Sequence, residues 1–76
     1  MNKKQLVKAI AATDYFDTQK EAGAFLNEFL TIITDTVASG QEVRITDFGK
    51  FEQFKQANGK VTPKFRPFKE LRSKVA

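Results

Sequence analysis

Between positions 22 and 37 the chain carries more apolar surface than a small domain can use by itself. Ala22, Phe25, Leu26, Phe29, Leu30, Ile32, Ile33 and Val37 recur at helical spacing. Phe25, Phe29 and Ile33 form one line along such a helix, and Leu26, Leu30 and Val37 form a second line beside it. A single core-facing stripe accounts for only one of them. The chain has 76 residues, and a monomer that short buries only about 60% of the surface its unfolded chain exposes. Chains of this size add disulfides, a metal or a partner subunit. With no Cys and no His, disulfides are excluded, and so is a zinc site of the usual type. A second subunit is the remaining device. Phe25, Phe29, Leu30, Ile33 and Val37 are its candidate interface on the helix. One generous core face within a single subunit is the plainer alternative.

The flanking sequence places the other elements. Residues 3–12 put Leu6, Ala9 and Ile10 on one helical face, with Asn2 as N-cap and Thr13-Asp14 as the stop. Tyr15 and Phe16 are expected to pack where the chain turns back. Thr18 and Glu21 have capping-box spacing at the start of the long helix, with Asp17 as an alternative cap, and Gly40 suits the position just past its end. "EVRIT" at 42–46 alternates and is β-branched, so it reads as a strand. Asp47-Phe48-Gly49 forms a tight turn into a second strand, 50–56, and a third runs from 60 to 66. Asn58-Gly59 between them is a strong hairpin signal. A two-residue loop would set Phe51 opposite Arg66. A three-residue loop, Ala57-Asn58-Gly59, sets Phe51 opposite Phe65 and gives Gly59 the left-handed position it tolerates. The three-residue loop is therefore expected. Phe51 and Phe65 then face the helices with Val61 and Pro63. Arg44, Glu52, Phe54, Lys64 and Arg66 share the opposite face, with Lys60 near the tip. "FKELRSKV" at 68–75 reads as a short closing helix whose apolar residues are Phe68, Leu71 and Val75.

Charge is unevenly placed. The net charge is +4 and the pI about 9.6, yet the first 40 residues hold four Lys against five Asp/Glu, and the remaining residues hold nine Lys/Arg against four Asp/Glu. All the excess lies in the half that forms the sheet, where a polyanion is the natural partner. A solvated, lysine-protected sheet face is the plain alternative. Catalysis is not expected: there is no His or Cys, the carboxylates are scattered, and Ser73-Lys74 are adjacent on a helix and do not face each other. No cofactor and no metal site are expected. The N-terminal segment is interrupted by Lys8 and offers no signal-peptide core, and no apolar run reaches membrane-spanning length. A soluble, intracellular protein is expected, and the lack of cysteine fits a reducing compartment.

Three motifs together carry a resemblance: "MNKKQLVKAIA" at the start, "FGKF" at 48–51, and "PKFRPFKELRSKV" at 63–75. They resemble the HU family of bacterial histone-like DNA-binding proteins, which includes integration host factor. The resemblance covers nearly the whole chain and implies an α+β fold in an intertwined homodimer. Two N-terminal helices, a three-stranded antiparallel sheet and a short C-terminal helix would form one domain, 1–76. Its helical dimerisation part would be 1–40, its sheet saddle 41–67 and its closing helix 68–76. Phe48, Phe51 and Phe65 join the helical residues as candidate interface. The family binds duplex DNA largely without sequence preference, and long β-ribbon arms with a proline near the tip kink the duplex. Here the sequence departs: "EQFKQANGKVTPK" replaces the arm, and Pro63 matches the base of the third strand, not the wedge. What carries over is a set of cations. Lys3 matches a helix-start lysine, Arg66, Lys69 and Arg72 match saddle and flank positions, and Arg44, Lys60 and Lys64 lie on the sheet or near its tip.

Two functions follow as expectations. One is a cytoplasmic, nucleoid-associated architectural protein that binds double-stranded DNA through a basic saddle without long arms, and condenses it only with many dimers side by side. The other is an armless partner that forms a heterodimer with a full-length HU-type subunit and modulates it. No membrane role is expected.

Overall fold

A computed structural model describes residues 1–76. The order is α1 (Lys3–Ala11), α2 (Gln19–Ala38), β1 (Val43–Ile45), β2 (Gly49–Lys55), β3 (Val61–Pro67) and α3 (Lys69–Val75). The chain divides inside α2 into two compact units, residues 1–32 and 33–76.

In the first unit, local hydrogen bonds set the helix ends. The Gln5 amide donates to Asn2 Oδ1 at 2.9 Å, and the Asn2 amide donates to Gln5 Oε1 at 3.0 Å, which closes a capping box on α1. At the start of α2 the Glu21 amide donates to Thr18 Oγ1 at 3.1 Å. The packed face of α1 is Val7, Ile10 and Ala11, whereas Leu6 and Ala9 are exposed. The expected face is thus rotated by about one residue, because Val7 is the side chain that meets α2 at Gly23. Phe16 packs on Phe25 with ring centroids 5.3 Å apart, but Tyr15 is 88% exposed and packs on nothing in its own chain.

The second unit begins with the last turns of α2. The Gly40 amide donates to Val37 O and the Gln41 amide to Thr36 O, a Schellman closure. The sheet is antiparallel in the order β1-β2-β3. Phe51 pairs with both Val43 and Phe65, as the three-residue loop requires. At the loop the Gly59 amide donates to Gln56 O and the Gln56 amide to Lys60 O, and Gly59 has φ +89. That is the turn-plus-bulge hairpin, in which a left-handed glycine restores the strand twist. The other turn closes with the Phe48 amide on Ile45 O, and there a non-glycine, Asp47, takes φ 68.

The "FGKF" motif has a steric reason. Gly49 is buried, and a Cβ built on it would lie 2.6 Å from Phe65 Cζ and 2.6 Å from Arg66 O. The bare backbone lets the Phe65 ring lie across β2, between Phe48 at 5.2 Å and Phe51 at 4.8 Å. Such a bare strand position covered by a cross-strand ring is a recurrent way of fixing register. Gln53 ties the same sheet face to α2: its amide donates to Val37 O at 2.9 Å, a second donor to the carbonyl that already accepts from the Gly40 amide.

The chain's own core is small. Only Ala22, Leu26 and Val37 are buried apolar residues, and no large side chain is fully buried. Apolar surface stays exposed where the sequence suggested: Phe25, Phe29, Leu30, Ile32 and Phe48 are each at least 40% exposed. Two residues depart from expectation. Val37 is already buried by its own chain, so it offers little surface to a partner. Val75 is 81% exposed: it shares a helix face with Leu71 and borders an open groove with Leu71 and Phe65, but its own chain does not cover it.

Candidate nucleic-acid interface

The register decides which side chains share the outer face of the sheet. Strand alternation puts Arg44 on β1, Lys50, Glu52 and Phe54 on β2, and Thr62, Lys64 and Arg66 on β3 together. Arg44, Lys64 and Arg66 are brought together as expected, and all three are exposed. Lys60 is exposed beside the loop, where its amide donates to Asn58 Oδ1 at 3.0 Å. Lys69 and Arg72 lie exposed on α3, and Lys3 lies exposed at the first position of α1 in the other unit. The expected candidates are therefore split among the sheet face, the closing helix and the first helix.

Three features of the face were not read from sequence. Lys50 belongs to it, since it stands directly opposite both Arg44 and Arg66. Period-two alternation from Glu52 would have found it. Glu52 is not a bystander on the face: its Oε2 lies 3.2 Å from Arg66 Nε and 3.4 Å from Lys50 Nζ. That oxygen is shielded from water and takes no aligned hydrogen bond, so the two cations balance it by charge alone. Glu42, just before β1, continues the chain of ion pairs, 3.4 Å from Arg44 Nη2 and 3.7 Å from Lys50 Nζ. Finally, the aromatics hold cations. Lys64 Nζ sits 4.3 Å above the Phe54 ring, and the Arg44 guanidinium sits 5.3 Å from the centre of the Phe68 ring. These interactions hold the two side chains over the sheet, each worth about 0.5–1 kcal/mol when exposed.

The opposite face of the sheet is apolar and only partly covered. Ile33, Val37, Phe51, Val61 and Pro63 line an open groove of about 370 Å³. The hairpin is short. Its two strands of seven residues are joined by a tight loop with no proline at the tip. No helix is long and apolar enough to cross a membrane.

A sheet with one cationic and one apolar face, preceded by two capped helices and closed by a third, is an HU-like α+β fold. HU from Thermotoga maritima superposes with a TM-score of 0.81 at 36% identity, covering all of both chains. An Anabaena HU solved as a cocrystal with DNA gives a TM-score of 0.85 at 32% identity, covering 100% of this chain and 98% of that one. The family described as "Bacterial DNA-binding protein" matches residues 1–61, and this chain belongs to it. DNA-binding protein HU-beta 2 of Neisseria meningitidis is 32% identical, with 99% of this chain and 98% of that protein aligned. Integration host factor subunit beta of Shewanella pealeana is 30% identical, with 99% and 95% covered. The Neisseria alignment runs over 91 positions against the 76 residues here, so at least 15 positions have no counterpart in this chain.

Proposed function

We propose that this chain is an architectural, non-enzymatic DNA-binding protein of the HU type. It acts as a homodimer on duplex backbone, without sequence preference, in the cytoplasm on the nucleoid. The observation that carries this is the gathering of Arg44, Lys50, Lys64 and Arg66 on one face of the sheet, in a chain that matches an HU solved with DNA over its full length. Lys60 near the tip, Lys69 and Arg72 on α3 and Lys3 on α1 extend the cationic surface. The helical part up to residue 40 supplies the dimer, residues 41–67 the saddle, and residues 68–76 its flank. The dimer is supported by the exposed stripe of Phe25, Phe29 and Leu30 and by the open groove under the sheet.

Cations on a sheet recognise phosphate spacing and not base edges, so binding is salt-dependent and nearly equal for unrelated sequences. Sharp kinking needs a side chain that enters the base stack. The Ala57-Asn58-Gly59 loop carries none, and Phe54 lies back on the strand under Lys64. The duplex therefore stays close to straight. The test is a titration of end-labelled short duplexes of unrelated sequence, read by both anisotropy and energy transfer. Equal, salt-sensitive binding with little change in transfer is expected. Absence of binding at low salt removes the proposal, and a large saturable rise in transfer at one dimer per duplex removes the straight-duplex part of it.

A further inference from the structure

We infer that Glu52 is a built-in competitor for phosphate, holding Lys50 and Arg66 in ion pairs that a nucleic-acid backbone must displace. This rests on the DNA-binding function proposed above. Glu52 stands directly opposite Lys64 in the ladder, yet its carboxylate reaches instead along its own strand to Lys50 and diagonally to Arg66. Lys64 is left to the Phe54 ring. Glu42 adds a second carboxylate between Lys50 and Arg44. Of the outer-face cations Arg44, Lys50, Lys64 and Arg66, only Lys64 has no ion pair.

The burial of the group makes the competition effective. The side chains of Glu52 and Lys50 are only 24% and 23% exposed, so their attraction is less screened than that of a pair in open water. A phosphate oxygen approaching Arg66 or Lys50 meets a site already holding an anionic oxygen, and is itself repelled by Glu52. The face therefore binds with fewer effective cations than it carries. Affinity is held down by one side chain in the middle of the sheet, beyond what the shortened hairpin already removes.

The experiment replaces Glu52 by Gln, which keeps the shape and removes the charge. Anisotropy of a labelled duplex is measured between about 50 and 200 mM NaCl, with circular dichroism confirming the fold. Each phosphate newly neutralised by Lys50 or Arg66 steepens the slope of log K against log salt by about 0.9. The expected steepening is thus about 0.9–1.8, with a several-fold gain in affinity at the low-salt end. Glu42→Gln is expected to give a smaller gain in the same direction, and it reports on the network if Glu52→Gln does not fold. Glu70→Gln on α3 adds the same net charge where no ion pair exists. An equal gain there would overturn the inference in favour of a general charge effect. If the wild type binds and Glu52→Gln binds with the same affinity and slope, the inference is wrong and DNA binding stands. If neither binds at low salt, both fall. Binding by Glu52→Gln alone would show the competition at its strongest.

Discussion

Gly49→Ala tests whether the register-fixing ring packing is as tight as the structure makes it. The added Cβ falls 2.6 Å from Phe65 Cζ, 2.7 Å from its Cε1 and 2.6 Å from Arg66 O, where carbon neighbours are relaxed at about 3.5–4.0 Å. Roughly 1 Å must be recovered. The carbonyl belongs to β3 and cannot swing away by itself, so the ring and the local strand spacing must give. Moving the ring weakens its packing with Phe48 and Phe51, each pair worth about 0.5–1.5 kcal/mol beyond burial. Overpacking adds about 1–3 kcal/mol. Restricting the unfolded chain returns about 0.4–1 kcal/mol. The net destabilisation is about 2–4 kcal/mol, a large share of the roughly 4–11 kcal/mol expected for a domain of this length. Urea unfolding at one fixed protein concentration measures it, since dimer stability depends on concentration. A Gly49→Ala variant within about 0.5 kcal/mol of wild type would refute the steric argument. The double variant with Phe65→Leu separates its parts. A coupling of about 1 kcal/mol or more is expected because the ring clash is relieved while the carbonyl clash remains, and strict additivity would show that the ring is not the obstacle.

Phe29→Glu places a charge in the exposed apolar stripe of α2 and is expected to abolish the folded dimer; a folded, monodisperse monomer in analytical ultracentrifugation would contradict this. Replacing Arg44, Lys64 and Arg66 together by Ala is expected to flatten the salt slope of DNA binding by about 0.9 for each phosphate that is no longer neutralised, equally on unrelated duplexes. An unchanged slope would move the binding surface off the sheet. Asp47→Gly relieves a left-handed residue that costs an L-amino acid about 1–2 kcal/mol, offset in part by glycine's greater freedom when unfolded. A gain of about 0.5–1 kcal/mol is expected, read as a melting temperature raised by a few degrees.

Much of the architecture was legible because it is decided within a few residues of chain. Asn2 with Gln5 and Thr18 with Glu21 declare the helix starts, and Gly40 declares an end. Gly59 chooses the three-residue loop, and that loop alone sets Phe51 against Phe65 and sorts every later side chain to one face or the other. The cationic face was legible for the same reason, since strict alternation carries Arg44, Lys64 and Arg66 to one side. Only the tertiary structure decided which partner each charged or apolar group takes. Glu52 passes over Lys64, its neighbour across the ladder, for Arg66 on the diagonal and Lys50 two residues back, a choice among equivalent cations that periodicity cannot rank. Phe65 covers Gly49 because two strands approach there closely enough to exclude a Cβ. Gln53 spans to the end of α2 across 16 residues of sequence. Val7 displaces Leu6 on the packed face of α1 because Gly23 stands opposite. Turns and caps are local minima that a short segment finds alone, whereas ion-pair choice and ring packing depend on where distant backbone has come to rest.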